Sequence, residues 1–162
     1  MEADLKLSHA LRDRARPFYS LEFFPPKNPE QFPAFIKTAE RLRELDPLFV
    51  SVTYGAGGGS QHNTVEVARR LKTECGYEPM THLTCVGATC ERIDAYLREL
   101  ESIGVKNILA RGGAATRPRR ADEPGCAWSA GRFRYAWDLV ECVCKAFPDF
   151  GVAVAGYPAP HP

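Results

Sequence analysis

Glu22, Thr53, His82 and Arg111 are the residues of this chain best suited to act together, and they are regularly spaced, 31, 29 and 29 residues apart. A carboxyl can give or take a proton, an imidazole titrates near neutral pH, a guanidinium forks onto phosphate, and a threonine hydroxyl both donates and accepts. A period of about 30 residues means that a repeated unit carries one such group each time. If the units stack side by side, all four groups reach one place.

Hydrophobic periodicity identifies the units as strand followed by helix. Tyr19–Phe24 reads as a strand stopped by Pro25 and Pro26, and Phe32, Phe35, Ile36, Ala39 and Leu42 follow at helical spacing until Asp46-Pro47. Leu48–Tyr54 is the second strand. Asn63 and Glu66 form a capping box opening a helix through Val65, Ala68, Leu71 and Cys75, with Gly76 just past its end. Met80–Val86 is the third strand. Thr89 caps a helix with the stripe Ile93, Leu97, Leu100 and Ile103, ended by Gly104. Lys106–Ala110 is the fourth strand, and a loop rich in Gly, Pro and Arg runs from Gly112 to about Gly131. Phe133, Ala136, Trp137, Val140, Val143 and Phe147 then mark a helix ended by Pro148, and Val152–Gly156 is the fifth strand.

One βα unit per ~30 residues is what a (β/α)₈ barrel of ~250 residues contains. The expected fold is therefore α/β: a TIM-barrel fold represented by about its first five strands and four helices, over residues 19–162, behind an N-terminal arm of residues 1–18. An open doubly wound sheet is the alternative that the same pattern allows.

Strand alternation sorts the polar residues. Ser20 and Glu22 oppose Leu21 and Phe23; Ser51 and Thr53 oppose Val50 and Val52; His82 and Thr84 oppose Leu83 and Cys85. Parallel strands covered by helices normally read as continuous apolar runs, so a polar face repeated three times needs a shared destination, and the C-terminal mouth of a barrel supplies one. Glu22, followed by Phe23, Phe24, Pro25 and Pro26, would be desolvated there and held protonated near neutral pH, as a general acid requires. A strand-end carboxylate in water, or one paired with Arg111, is the competing reading. His82 equally fits a core histidine or a ligand contact. Arg111, Arg117, Arg119 and Arg120 could steer phosphates, although the last three read as a solvated loop.

Other chemistries are excluded or weak. Gly55-Ala56-Gly57-Gly58-Gly59-Ser60 lies between a strand and a helix but has Ser60 where a dinucleotide fingerprint needs its third glycine, and it lacks the Gly-Lys of a phosphate-binding loop. It reads as a loop whose backbone can approach a cofactor. The six cysteines form no Cys-x-x-Cys pair, and Cys142 and Cys144 would point to different sides of a helix, so no metal site is expected. With 21 basic and 20 acidic residues the net charge is +1, which gives no electrostatic basis for binding nucleic acid. No apolar stretch approaches the ~18 residues of a membrane span, and Met1–Arg16 lacks a secretory apolar segment, so a cytoplasmic location is expected.

Five pieces in order resemble the methylenetetrahydrofolate reductase family: Ser20-Leu-Glu-Phe-Phe-Pro-Pro-Lys27, Phe49-Val-Ser-Val-Thr-Tyr-Gly-Ala56, His82-Leu-Thr-Cys85, Asn107-Ile-Leu-Ala-Arg-Gly112, and Val154-Ala-Gly-Tyr-Pro158 with His161-Pro162. The resemblance implies a flavoprotein barrel in which NADH or NADPH reduces FAD. The reduced flavin passes a hydride to 5,10-methylenetetrahydrofolate, giving 5-methyltetrahydrofolate for methionine synthesis. It implies that Glu22 is the acid that protonates the folate and helps open its bridging ring to an iminium ion. It further implies that Thr53, His82, Arg111, Tyr157 and His161 line the FAD site, and that Ala110, Gly112 and Ala155 contribute backbone to its wall. Homo-oligomers are the family's habit.

Two departures accompany the resemblance. The family usually has Arg-Gly-Asp after the fourth strand, where this chain has Arg111-Gly112-Gly113. Only the first half of the family's barrel is represented, which leads to the expectation of a partial or inactive chain, with a non-catalytic remnant or an open-sheet nucleotide- or flavin-binding domain as alternatives.

Overall fold

Short β-rich segments separated by amphipathic helical ones can bury both apolar faces only by layering, and they do so as a parallel sheet under helices. The computed structural model describes residues 6–12, 14–54, 61–84, 88–112, 133 and 136–156. Its elements in chain order are α1 (Leu7–Arg12), β1 (Ser20–Phe23), α2 (Phe32–Leu42), β2 (Phe49–Val52), α3 (Gln61–Thr73), β3 (Pro79–Thr84), α4 (Cys90–Ser102), β4 (Asn107–Arg111), α5 (Ala136–Ala146) and β5 (Gly151–Val154). The Gly55–Ser60 loop, Cys85, the loop arginines 117, 119 and 120, Gly113, Tyr157 and His161 lie outside the described residues.

The strands are hydrogen-bonded in the order β1-β2-β3-β4-β5, all parallel. A doubly wound sheet places its first strand in the interior; here β1 is at an edge, so the open-sheet alternative is excluded and the order is that of consecutive barrel units. Crossovers of one hand between neighbours that never reverse direction put every connecting helix on one side of the sheet, and right-handed is the rule for parallel strands. Val50, Val52, Leu83 and Ile108 point to that side and are fully buried with Ala39, Val67, Leu71, Leu97, Leu100 and Leu139 of the helices.

Local chemistry sets most element ends. Thr89 caps α4 by accepting from the Arg92 N–H at 3.3 Å. Gly76 and Gly104 follow α3 and α4 with φ of 67° and 70°, the left-handed conformation in which only glycine is free of strain. The expected Asn63 capping box is not formed: α3 begins at Gln61. Asn63 is already inside the helix, and the Glu66 carboxylate instead binds Arg69 and Arg70 one turn on, at 2.7 and 2.8 Å.

Periodicity gave no sign of α1. Its Leu7 is buried, the Leu7 N–H donates to Asn107 Oδ1 at 3.0 Å, and Lys6 Nζ donates to the Pro148 carbonyl at 3.0 Å. The helix covers the N-terminal ends of β4 and β5, where Asn107 Nδ2 also donates to Glu78 Oε1 at 2.9 Å and Lys72 Nζ reaches both Glu78 Oε2 and the Gly104 carbonyl.

Candidate functional site

The sheet face away from the helices carries the polar row. Register aligns Glu22 of β1 with Ser51 of β2, and His82 of β3 with Leu109 of β4; Thr84 of β3 is level with Arg111. Glu22 and His82 come together: Glu22 Oε2 lies 3.5 Å from His82 Nε2 and 3.4 Å from the Ser51 hydroxyl, which donates to it. Thr53 follows β2 on the same face. It is buried, its N–H donates to the Phe23 carbonyl at 3.0 Å, and its own carbonyl accepts from the buried Thr64 hydroxyl of α3 at 3.4 Å. Arg111 closes β4 with an exposed side chain.

Burial divides these groups. The His82 side chain is 3% exposed and that of Glu22 is 49% exposed. The desolvated Glu22 expected from its aromatic and proline neighbours is therefore not found in this chain; Phe24 itself points into solvent at 70% exposure. Of the competing readings, the half-exposed carboxylate agrees with a strand-end group open to solvent, and among the described residues Glu22 and Arg111 form no ion pair. Burial pulls the pKa of His82 below its ordinary value; the Glu22 charge opposes that, and the Arg111 charge reinforces it. A neutral imidazole is the result.

Neutral His82 is also under-satisfied. Both ring nitrogens are shielded from solvent and neither has a hydrogen-bond partner of good geometry, the Glu22 contact being at the limit of reach. Buried polar atoms are nearly always paired, so an orphaned one calls for an explanation such as an absent ligand. The other two such atoms among the described residues, Thr81 Oγ1 and Tyr96 Oη, belong to the helix-packed side and have each other as neighbours there, Thr81 alternating with His82 along β3 and Tyr96 being buried in α4.

The remaining expected site residues divide simply. The Ala110 side chain is buried among the helices, so Ala110 can meet a ligand on the polar face only through its backbone. Ala155, just past β5, is exposed, as is Gly112 just past β4. A Cβ on Gly112 would come no closer than 3.9 Å to the Ala136 nitrogen, an ordinary contact. Tyr157 and His161 fall outside the described residues. Cys142 is buried and Cys144 exposed, as their helical spacing requires. Among the described residues no group of three His, Cys, Asp or Glu could hold a metal ion, and no helix is long and apolar enough to cross a membrane.

Ser51 was visible in the sequence as a member of the polar face but not as a contact of Glu22. The signal was present: residues 29 apart in a 30-residue repeat are cross-strand neighbours.

The sequence profile described as methylenetetrahydrofolate reductase matches residues 6–162. Among curated proteins, a probable methylenetetrahydrofolate reductase (NADH) of Oryza sativa subsp. japonica is 37% identical over 158 residues, covering 97% of this chain and 26% of the rice protein. Methylenetetrahydrofolate reductase (NADH) 1 of Arabidopsis thaliana is 35% identical, over 94% of this chain and 25% of its own length. The 5,10-methylenetetrahydrofolate reductase of Escherichia coli (strain K12) is 36% identical over 143 residues, 88% of this chain and 45% of the bacterial protein. The chain thus spans between a quarter and a half of the curated relatives it matches.

Proposed function

The chain belongs to the methylenetetrahydrofolate reductase family, and we propose that it supplies the folate-protonating acid and one wall of the flavin site of a cytoplasmic reductase that makes 5-methyltetrahydrofolate. The observation that carries this reading is the meeting of Glu22 Oε2 with His82 Nε2 at 3.5 Å, on the face where both nitrogens of His82 are buried and orphaned. A shielded ring with a donor and an acceptor to spare, with the permanently charged guanidinium of Arg111 acting on it, fits a planar polar cofactor with a phosphate tail.

Thr53, His82 and Arg111, with backbone from Ala110, Gly112 and Ala155, would hold FAD, and Tyr157 and His161 would complete the contact. When bound, FAD supplies the hydride, drawn from the NADH named for the plant relatives. Arg111 offers a fixed positive charge and paired N–H donors. His82, kept neutral by burial, can present either nitrogen as donor without placing a cation beside the substrate. Glu22, half in water, recovers a proton from solvent after each turnover and delivers it from its carboxyl to the folate amine whose release opens the bridging ring. Bound substrate would displace that water and bring the folate amine up to the carboxyl.

The test is Glu22→Gln in the intact, FAD-loaded protein, followed by stopped-flow of the two half-reactions. Removal of a general acid costs about 10²- to 10⁴-fold, and the expected result is a loss of that size in oxidation of the reduced flavin by folate, far exceeding any change in reduction by NADH. Equal slowing of both would make Glu22 a structural residue.

Gly113 favours a second reading, a slow or non-catalytic flavin binder, because it removes the carboxylate the family usually places beside the developing cation. Gly113→Asp then discriminates. Folate turnover should rise, since a charge that meets a cation only in the transition state lowers the barrier; unchanged turnover with flavin retained would show that the charge is balanced elsewhere.

A further inference from the structure

Glu22 and His82 stand on β1 and β3 with β2 between them. Neighbouring strands are about 4.8 Å apart, so strands once removed are roughly 10 Å apart. The two side chains nevertheless come within 3.5 Å, because the β2 residue level with Glu22 is the short Ser51. Ser51 is buried, and its hydroxyl donates to the same oxygen, Glu22 Oε2, that faces His82. Among the described residues Oε1 has no hydrogen-bond partner.

We propose that Ser51 is the positioning residue of the acid: it holds the Glu22 carboxyl by Oε2, beside His82 Nε2, and thereby makes Oε1 the oxygen that carries and transfers the proton. The inference rests on the reading of Glu22 as the folate-protonating acid. A hydrogen-bond donor at one carboxyl oxygen makes that oxygen the carbonyl of the protonated form, leaving the O–H on the other. In the transfer the Oε1–H bond breaks, the proton goes to the folate amine, and the amine leaves with the electron pair of its bond to the bridging carbon. Glu22 is left as a carboxylate whose Oε2 keeps the same contact with Ser51. The contact, at 3.4 Å, is long for O–H···O, as catalytic hydrogen bonds often are before substrate closes the site.

Ser51→Val and Ser51→Thr test this, since they have the same shape and differ only in the hydroxyl. In the intact FAD-loaded protein Ser51→Val should slow the folate half-reaction roughly 10- to 100-fold, the cost of a misplaced catalytic group, with KM for folate little changed, and Ser51→Thr should stay within a few-fold of the parent. Ser51→Ala repeats the loss without added bulk. A second readout needs no turnover: the His82 ring is titrated by NMR in this chain. Glu22 and Arg111 are the charged groups that act on it, so Glu22→Gln should move its titration to lower pH. That displacement should shrink in the Val background and persist in the Thr background. Equal folate rates for Val and Thr, with an unchanged displacement, would overturn the proposal. If Glu22→Gln slows both half-reactions alike, the acid reading fails by itself, and the NMR displacement still decides whether Ser51 holds the carboxylate.

Discussion

Asn107 and His82 are both buried polar residues on the same face of adjacent strands, yet they have opposite surroundings. Asn107, at the N-terminal end of β4, is 1% exposed and accepts from the Leu7 N–H while donating to Glu78, which Lys72 ties to the end of α4. His82, toward the C-terminal end of β3, is as deeply buried and has no well-placed partner for either nitrogen. The lesson is that burial of a polar group does not mark a functional site. An unpaired valence on the face of the sheet away from the helices does, because a protein that could satisfy such a group internally normally would.

Matched replacements put that comparison at risk. Asn107→Leu should lower stability by about 2–3 kcal/mol, since it strands the Leu7 N–H and a partner of Glu78 in a dry setting; denaturant unfolding measures the loss, and faster hydrogen exchange at Leu7 would locate it. Gly151→Ala strikes the same network from β5. A Cβ there would stand 2.4 Å from Asn107 Oδ1, and an overpacking cost of about 1–3 kcal/mol is expected, partly relieved in the Asn107→Ala background. His82→Leu should do the reverse and raise the unfolding free energy by about 1 kcal/mol, because two orphaned nitrogens vanish, while flavin affinity falls in a binding titration. A destabilisation by His82→Leu as large as that of Asn107→Leu would mean that the two buried groups are equally structural.

The smallest effect concerns a network left in water. Arg69 and Arg70 hold the Glu66 carboxyl down at about 2. A carboxylate whose pKa is lowered by folding contributes stability above its ordinary range and loses it as pH falls from about 4.5 toward 2. Because these side chains are about a third exposed, screening limits the contribution to about 0.5 kcal/mol. Glu66→Gln should therefore flatten only a minor part of the acid limb of a stability profile, far less than Asn107→Leu removes at neutral pH.

Much of the molecule was legible beforehand. All five strands, the helices α2 to α5, the Thr89 cap and the glycines past α3 and α4 follow from periodicity and local backbone chemistry, which depend on near neighbours. The Asn63 capping box misread α3 because the helix gains a turn ahead of it, at Gln61. The polar row of Glu22, Ser51, Thr53 and His82 followed from strand alternation. The desolvation of Glu22 did not follow, because flanking residues on a strand point to the other face or into solvent and so do not bury it.

Sequence by itself determined the ~30-residue unit, the family and the face on which each strand residue lies, since these rest on spacing, motif and a two-residue repeat that no tertiary contact alters. Only the tertiary structure decided that β1 lies at an edge, that α1 seals the end of β4 through Asn107, and that a carboxyl of β1 reaches an imidazole of β3 across one serine. Those outcomes depend on strand order, register and the length of the side chain in between, and they join residues tens of positions apart whose mutual distance no local pattern encodes.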